Sequence, residues 1–300
     1  MAEENSPIVS PSAQPVEAEL QAVGADIQPT VEEPPVTDIA DAQPAAEAPV
    51  IREAQPTAEA AAQPISKAEP AAAVSAPSES TLVVHHLNNS RSQRILWLLE
   101  ELEIPYSIKK YERTPTMVAP KELKDVHPLG KSPVITDGDL TIAESGAIVE
   151  YIIAKYAKGR CQPPDSGFVD NLYFSHYAEG TIMPVLFNKL IFTLIPARAP
   201  FLIRPVARVI CAGVTKTLVE PQLRTNGEMI EKHLEKTNGG WFAGGDVPTA
   251  ADFMMLFPME AIVKRAPDCL GEKSKAYVEM IHARPAYKRA LEKGGRYEFA

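Results

Sequence analysis

The stretch HPLGKSPVITDGDLTIAESGAI, residues 127–148, decides the fold class. Two short apolar runs, residues 134–136 and 140–142, flank Asp137-Gly138, a pair typical of the two-residue turn of a β-hairpin. An apolar helical pattern follows directly, over about residues 144–158. The stretch therefore predicts a hairpin that leads into a helix.

The start of this helix carries the first functional signal. Glu144 supplies a carboxylate that can pair with an ammonium group, and Ser145 with the free backbone N–H groups of a helix start can bind a carboxylate. Alone, the pair would indicate only an ordinary helix N-terminus. Its place after Ser132-Pro133 and a hairpin favours a site for the zwitterion of an amino-acid-like group.

A strand–helix–strand unit precedes the stretch. Residues 81–87 predict a buried strand and residues 106–111 a second one, with a helix between them that Ser90 or Ser92 can cap. The order βαβ followed by ββα is that of a thioredoxin-like α/β domain, here over residues 81–160.

The remainder of the chain is predicted to be helical. A linker over residues 161–167 leads to an all-α domain over residues 168–300. A long helix over residues 170–194 is expected to be interrupted at Pro184, and Pro196 is expected to break the chain after it. The predicted fold class is thus an α/β thioredoxin-like N-terminal domain followed by an all-α C-terminal domain.

Residues 1–80 are predicted to form a disordered tail. They contain no Phe, Trp or Tyr, are dominated by Ala, Pro and Glu, and hold 14 Asp and Glu against Arg52 and Lys67. Such a composition buries too little apolar surface to offset the entropy lost on ordering. The tail carries −12 and the whole chain −9, which leaves about +3 on residues 81–300. We therefore expect no nucleic-acid partner.

The cysteines and the N-terminus bear on the compartment. Cys161, Cys211 and Cys269 are spaced too widely for a disulfide framework or a zinc site, which indicates a reducing environment. The first residues, MAEENSPIVS, resemble neither a secretory nor an organellar import signal. We expect a cytoplasmic protein that holds no metal.

Four motifs together resemble those of the soluble glutathione transferases. They are S-x-x-x-R at residues 90–94, GKSPVI at residues 130–135, ESGAI at residues 144–148 and the capping box TAAD at residues 249–252. The segments HHLNNSRSQRILWLLEEL, VHPLGKSP and HYAEGTIMP are similar to the fungal subgroup associated with the endoplasmic reticulum and to its bacterial relatives. The resemblance covers residues 81 to about 295.

The resemblance implies that five polar residues bind glutathione. Glu144 and Ser145 would hold the γ-glutamyl group, and the Ser132 backbone would pair with the cysteinyl residue as an added strand does. A cis Ser132-Pro133 bond would expose that backbone, although only about 5% of X-Pro bonds are cis. Lys131, with His127 as a second candidate, would meet the glycine carboxylate.

The glutathione thiol, with an ordinary pKa of about 8.5, must lose its proton before it can attack. A helix N-terminus and hydrogen bonds to the thiolate lower that pKa. Ser90 lies at such a position, and the resemblance to serine-type transferases implies that its hydroxyl donates to the sulfur. Asn89 is the alternative donor, through its amide. The absence of Cys between Asn88 and Arg94 argues against a mixed-disulfide mechanism.

Conjugation also needs an apolar pocket beside the thiol, which the family builds from the first helices of the second domain. Tyr173, Tyr177 and Met183 are the candidates in this sequence. Residues at helical spacing are more often ordinary core residues, and that interpretation stays open for each of the three.

Residues 182–214 are unusually apolar, but Lys189, Arg198, Arg204 and Arg208 interrupt them. No uncharged run reaches the ~18 to 20 residues of a spanning helix. Weak peripheral association with the endoplasmic reticulum membrane is one hypothesis from this pattern. An apolar substrate pocket or a dimer face would explain the same composition.

The predicted function is conjugation of glutathione to a small hydrophobic electrophile, in detoxification and stress response. Reduction of organic hydroperoxides by the same thiolate is a second expected activity. Glutathione would be a co-substrate, no other cofactor is expected, and the resemblance implies a homodimer. The alternative is a non-catalytic, glutathione-transferase-like binding or regulatory protein whose tail recruits partners.

Overall fold

The computed structural model describes residues 82–300, so the predicted tail over residues 1–80 lies outside the described residues. Its α/β half is built on one four-stranded sheet with the strand order β2-β1-β3-β4. The strands are β1 (Leu82–Leu87), β2 (Ser107–Tyr111), β3 (Val134–Asp137) and β4 (Leu140–Ala143). β1 is parallel to β2 and antiparallel to β3, and β3 and β4 form the predicted hairpin.

The hairpin turn contains two residues, because Asp137 pairs with Leu140 across it. Gly138 in the turn has a φ of +60°, a left-handed conformation that costs glycine little. The strand register then places Val134 opposite both His85 of β1 and Ala143 of β4. The end of β1, the start of β3 and the end of β4 therefore meet at one edge of the sheet.

Three helices complete this half: α1 (Gln93–Glu101), α2 (Leu123–Val126) and α3 (Ser145–Tyr156). α1 is the parallel crossover between β1 and β2, and five consecutive apolar residues of it, 95–99, have no exposed surface. A helix that is buried on all sides lies between two layers. α1 is accordingly packed against the sheet's half of the molecule on one side and against the helical half on the other.

The helical half follows from residue 165. Its helices are α4 (Phe168–Tyr177), α5 (Met183–Arg198), α6 (Arg204–Val214), α7 (Glu220–Lys236), α8 (Ala250–Arg265), α9 (Glu272–Ala283) and α10 (Pro285–Gly294). α8 is the central one, buried from Ala250 to Ile262 and opened by the predicted capping box between Thr249 and Asp252. The predicted fold class is confirmed.

The prolines interrupt these helices differently from the prediction. A π-helical turn, Ala178–Ile182, separates α4 from α5, and Pro184 follows it in the first turn of α5. A backbone N–H has no intrahelical partner at that position, so Pro184 costs the helix little. The prediction that Pro196 breaks the chain was wrong, because α5 continues through it to Arg198.

The segment Asp165–Arg198 is long and apolar enough to cross a membrane by length and composition, as helices in the cores of soluble proteins also are. The middle of this segment packs into the protein core, where Phe174, Ile182 and Leu186 are buried. Only 22% of its most apolar window is buried, however, so much of its apolar surface is exposed. The segment is therefore a helical part of the folded domain with an exposed apolar outer face.

Candidate functional site

The first part of the candidate site is the turn between β1 and α1. Asn89 has a φ of +49°, which directs the chain from the strand into the helix. The backbone N–H of Ser92 donates to Ser90 Oγ at 3.2 Å. No side chain caps α1 in the usual way; the carbonyl of Ser92 accepts from Ile95 N–H at 3.0 Å instead. The predicted serine cap was therefore wrong in detail, although both hydroxyls lie in the turn.

The hydroxyl of Ser90 begins a chain of hydrogen bonds that leads into the core. Ser90 Oγ lies 2.8 Å from Ser92 Oγ, which lies 2.8 Å from Nδ1 of His86. The three side chains are 5%, 0% and 3% exposed. Burial, and then the nearby charge of Lys110, lower the pKa of His86 to about 4, so the imidazole is neutral at physiological pH.

The side chain of Asn89 is held by the far end of the chain. The backbone N–H of Glu298 donates to Asn89 Oδ1 at 2.8 Å. Because a backbone N–H can only donate, the oxygen of the amide must face Glu298 and its NH₂ group must face away. This contact joins residues 209 positions apart. The sequence analysis contained no signal for it.

Ser132 lies beside this turn, at the start of β3. Its hydroxyl donates to the carbonyl of His85 at 2.8 Å and accepts from the N–H of Leu87 at 3.2 Å. The Ser132-Pro133 bond is cis. Within residues 82–300, neither the N–H nor the C=O of the Ser132 backbone has a hydrogen-bond partner. The side chain thus fastens Ser132 to β1, while its backbone groups stay available to an extended peptide.

Glu144 and Ser145 lie at the same sheet edge, where β4 runs into α3. Glu144 is exposed and has a φ of +73°, a conformation that costs a non-glycine residue of order 1–3 kcal/mol. Ser145 is only 5% exposed. Among the described residues, no side chain caps the N-terminus of α3, so its first N–H groups are available to an anion. The structure therefore places a free carboxylate and free donors next to each other.

Lys131 and His127 border this edge from the loop before β3. Lys131 is exposed and makes no ion pair within the described part of the chain. His127 is half-buried, and its Nδ1 accepts weakly from the N–H of Leu129 at 3.4 Å. Lys131 is thus the freer of the two side chains to bind a carboxylate.

Two of the three candidates for the electrophile pocket contact each other, and the third lies at the start of α5. Tyr173 and Tyr177 stack at 5.6 Å, and the hydroxyl of buried Tyr177 donates to Asn226 of α7. Met183 is half-buried against the core at the start of α5. The contacts found for Tyr173 and Tyr177 are thus within α4 and with α7, while Ser90 contacts Ser92. Their role as pocket residues stays a prediction.

An ion-pair cluster that is absent from the sequence predictions joins the start of α1 to the turn after α4. Glu179 pairs with Arg91 at 2.5 Å and with Arg94 at 2.7 Å. Arg94 is fully buried, with its guanidinium 5.6 Å from the ring of Phe257. Burial alone would raise the pKa of Glu179, but Arg94 and Arg91 outweigh it and lower that pKa. A lone arginine in the apolar sequence of α1 was the available signal for a buried acidic partner.

Two grooves lie on the surface of the helical half, and neither reaches Ser90, Ser132 or Ser145. One, of about 450 Å³, lies between α5 and α6 and is almost entirely apolar. The other, of about 570 Å³, lies between α4 and α7 and includes Tyr173. No group of three or more side chains suited to hold a metal ion occurs in residues 82–300.

Known proteins resemble both the sequence and the fold. Residues 79–154 match the family described as the glutathione S-transferase N-terminal domain. Glutathione S-transferase 3 of Schizosaccharomyces pombe is 34% identical over 220 residues, which are 71% of this chain and 87% of that protein. Glutathione S-transferase 1 of Saccharomyces cerevisiae is 30% identical over 222 residues, which are 70% of this chain and 94% of that protein.

Solved structures extend the comparison. A glutathione S-transferase from Actinobacillus pleuropneumoniae is 29% identical, with a TM-score of 0.56 that covers 73% of this chain and 95% of the other. A glutathione transferase from Phanerochaete chrysosporium, crystallised with oxidized glutathione, is 20% identical, with a TM-score of 0.55 over 73% and 97% of the two chains. At that identity, the second likeness shows the fold alone.

Proposed function

Since this chain belongs to the glutathione S-transferase family, we propose that it conjugates the glutathione thiolate to small hydrophobic electrophiles. The observation that supports this best is the meeting of three elements at one sheet edge. They are the turn bearing Ser90, the unpaired backbone of Ser132, and the free carboxylate and N–H groups at Glu144 and Ser145. Glutathione serves as co-substrate in this proposal, and no other cofactor takes part.

Each end of the tripeptide is assigned a partner in the proposal. Glu144 takes the ammonium of the γ-glutamyl group, and Ser145 with the N-terminus of α3 takes its carboxylate. The Ser132 backbone pairs with the cysteinyl residue. Lys131 takes the glycine carboxylate, with His127 as a neighbouring candidate, because Lys131 is exposed and free of an acidic partner within residues 82–300.

The thiolate then lies near the N-terminus of α1. We assign the hydrogen bond that stabilises the sulfur to the hydroxyl of Ser90, and keep the amide of Asn89 as the alternative. An isolated donor at this position lowers the pKa of the thiol and raises the fraction of thiolate at neutral pH. The same thiolate would reduce organic hydroperoxides. The electrophile would bind beside it against the helical half, where Met183, Tyr173 and Tyr177 are the proposed pocket residues.

The test is steady-state conjugation of a chloronitrobenzene-type electrophile by the full chain and by Ser90→Ala, Asn89→Ala and Glu144→Ala. We expect activity in the parent and a loss in Ser90→Ala and Glu144→Ala. A parent that binds glutathione tightly but turns over no electrophile would replace this proposal with a non-catalytic binding role. Removal of residues 1–80 should leave the activity nearly unchanged.

We propose further that two copies associate. Three apolar side chains in the first half of α4 have half or more of their surface exposed: Phe168 (61%), Val169 (71%) and Leu172 (50%). Adjacent exposed apolar groups of this size commonly mark an interface. Light scattering should report twice the monomer mass, and Val169→Asp should shift the population toward monomers. An unshifted mass in that variant would remove α4 from the interface.

A second exposed apolar surface supports peripheral membrane association as a proposal. It is the hairpin of α5 and α6, where Leu202 is 76% and Val209 73% exposed. The chain between Glu179 and Glu220 contains five Lys and Arg and no acidic residue. An isologous contact between two copies would bring these like charges together, whereas an anionic lipid surface complements them.

Liposome flotation tests that proposal. The full chain should float with vesicles that contain phosphatidylserine and stay in solution with phosphatidylcholine alone, and Leu202→Ser combined with Val209→Ser should abolish flotation. A chain that never floats would contradict it. From the resemblance over residues 81 to about 295, we propose a cytoplasmic detoxification and stress-response enzyme similar to the fungal subgroup associated with the endoplasmic reticulum and to its bacterial relatives.

A further inference from the structure

Two adjacent histidines on β1 are buried, but they have different partners. His85 Nδ1 lies 3.0 Å from the hydroxyl of Tyr111. His86 Nδ1 lies 2.8 Å from Ser92 Oγ, which itself lies 2.8 Å from Ser90 Oγ. Because side chains alternate along a strand, the two rings project from opposite faces of the sheet. Only His86 is therefore connected to the residue that we assign to the thiolate.

The hydrogen bonds of Ser90 leave two arrangements of protons. Ser90 Oγ already accepts from the backbone N–H of Ser92 at 3.2 Å. In the first arrangement, Ser90 donates its one proton to Ser92 Oγ, and nothing remains to donate to a ligand. In the second, Ser92 donates to Ser90, both lone pairs of Ser90 Oγ are used, and its proton is free for an outside acceptor.

The protonation of Nδ1 in the neutral His86 ring decides between the two arrangements. If Nδ1 of the neutral ring carries the proton, it donates to Ser92 Oγ, and the hydroxyl of Ser92 is directed to Ser90. If Nδ1 is unprotonated, it accepts from the Ser92 hydroxyl. Ser90 then donates its proton to Ser92, toward the core. A competing acceptor for Ser92, the carbonyl of Leu87, lies farther away at 3.4 Å.

We propose that His86 and Ser92 are positioning residues that direct the hydroxyl proton of Ser90 toward the glutathione sulfur, with Nδ1 of neutral His86 protonated. The thiol proton passes to bulk water, and the thiolate accepts the Ser90 O–H. Hydrogen bonds in such a chain polarise one another, so the last donor becomes stronger. This inference rests on the proposed function, because it needs glutathione bound with its sulfur at Ser90.

The experiment measures the pKa of the thiol in bound glutathione, from the ultraviolet absorbance of the thiolate as a function of pH. Ser92→Ala and His86→Leu should raise that pKa and lower kcat/KM at neutral pH about three- to tenfold, the loss expected for one hydrogen bond. The KM for glutathione should stay unchanged. His86→Asn should restore the parent profile, because its amide can place a donor close to the Nδ1 position.

Two controls separate positioning from a general loss of structure. His85→Leu removes the neighbouring buried ring and should leave the thiol pKa where it is in the parent. In a Ser90→Ala background, Ser92→Ala should add no further shift, because the chain acts only through Ser90. Nitrogen chemical shifts of the ring should identify the tautomer of His86 protonated at Nδ1.

An unshifted pKa in both Ser92→Ala and His86→Leu would overturn the inference while leaving the proposed function intact. So would an equal shift in the Ser90→Ala background, or a His86 ring protonated only at Nε2. A parent chain in which bound glutathione keeps the pKa of the free thiol would instead contradict the proposed function itself.

Discussion

The α/β half and the helical half use their polar groups differently. At the edge of the sheet, polar groups are left with unused capacity: the Ser132 backbone, the Glu144 carboxylate and the first N–H groups of α3 have no partner within the described residues. In the helical half, the buried carboxylates of Asp252 and Glu260 are fully used within the core. The first half thus has hydrogen-bonding groups available for a ligand, whereas these two carboxylates of the second half stabilise its core.

Asp252 offers the strongest test of this division. It is fully buried and accepts four hydrogen bonds, from Phe242 N–H at 2.9 Å, Thr249 N–H at 2.8 Å, Thr249 Oγ1 at 3.0 Å and the Tyr277 hydroxyl at 2.7 Å. Asp252→Ala strands these donors and should lower the free energy of unfolding by about 3–4 kcal/mol in urea titrations. Exposed Asp246 in the preceding loop is the control, and Asp246→Ala should change stability by less than about 0.5 kcal/mol.

Glu144 should behave in the opposite way. Its exposed carboxylate has no hydrogen-bond partner in residues 82–300, so Glu144→Gln should leave the unfolding free energy nearly unchanged. The KM for glutathione should rise about 10- to 100-fold, the loss expected for a hydrogen bond to a charged group. Glu150→Gln, an exposed change on the same helix, should leave both the unfolding free energy and the KM for glutathione unchanged. An unaltered KM in Glu144→Gln would remove this residue from the site.

The buried His86 gives the α/β half a dependence on pH. Its pKa is lowered from 6.5 to about 4 by burial, so the unfolded chain binds the extra proton more readily than the folded one. The contribution of neutral His86 to the unfolding free energy is complete above the pKa of the unfolded chain. It is lost as the pH falls toward the pKa of the folded chain. Between about pH 7 and about pH 5, the unfolding free energy should fall by about 2 kcal/mol more in the parent than in His86→Asn. Equal losses in the two chains would contradict this.

Tyr177 should have the smallest effect, and it tests the helical half. Tyr177→Phe removes the hydrogen bond to Asn226 and should cost about 1 kcal/mol of stability, while kcat/KM stays within about twofold. Tyr173→Phe is the matched control for stability, because the ring of Tyr173 is 51% exposed. Phe keeps the ring that the proposed pocket uses, so a many-fold rise in the KM for the electrophile in Tyr177→Phe would show that the hydroxyl itself contacts the electrophile.

The sequence predicted the α/β half better because its signals are local. The Asp137-Gly138 turn, the β-branched strands and the short crossover fix the register of the sheet, and the register then brings Ser90, Ser132 and Glu144 to one edge. The site residues of the helical half depend on which face of each helix turns toward Ser90, and the periodicity of the sequence does not indicate that. The contact of the Tyr177 hydroxyl with Asn226 of α7, for example, has no counterpart in the sequence pattern.

Contacts between distant segments could not be predicted from the sequence for a related reason. The bond from Glu298 to Asn89 and the pairs of Glu179 with Arg91 and Arg94 exist only once the two halves pack together. The chain of hydrogen bonds from Ser90 to His86 spans few residues, but it depends on the path of a turn that lacks the expected serine cap. These contacts needed the structure.

In the proposed function, the α/β half holds glutathione as a thiolate through Ser90. A pH titration of the ultraviolet absorbance of bound glutathione in the parent, in Ser90→Ala and in Asn89→Ala tests it directly. We predict a thiol pKa well below the free value of about 8.5 in the parent, a return toward that value in Ser90→Ala, and a smaller change in Asn89→Ala. A parent-like pKa in Ser90→Ala, with the free value in Asn89→Ala, would contradict the account.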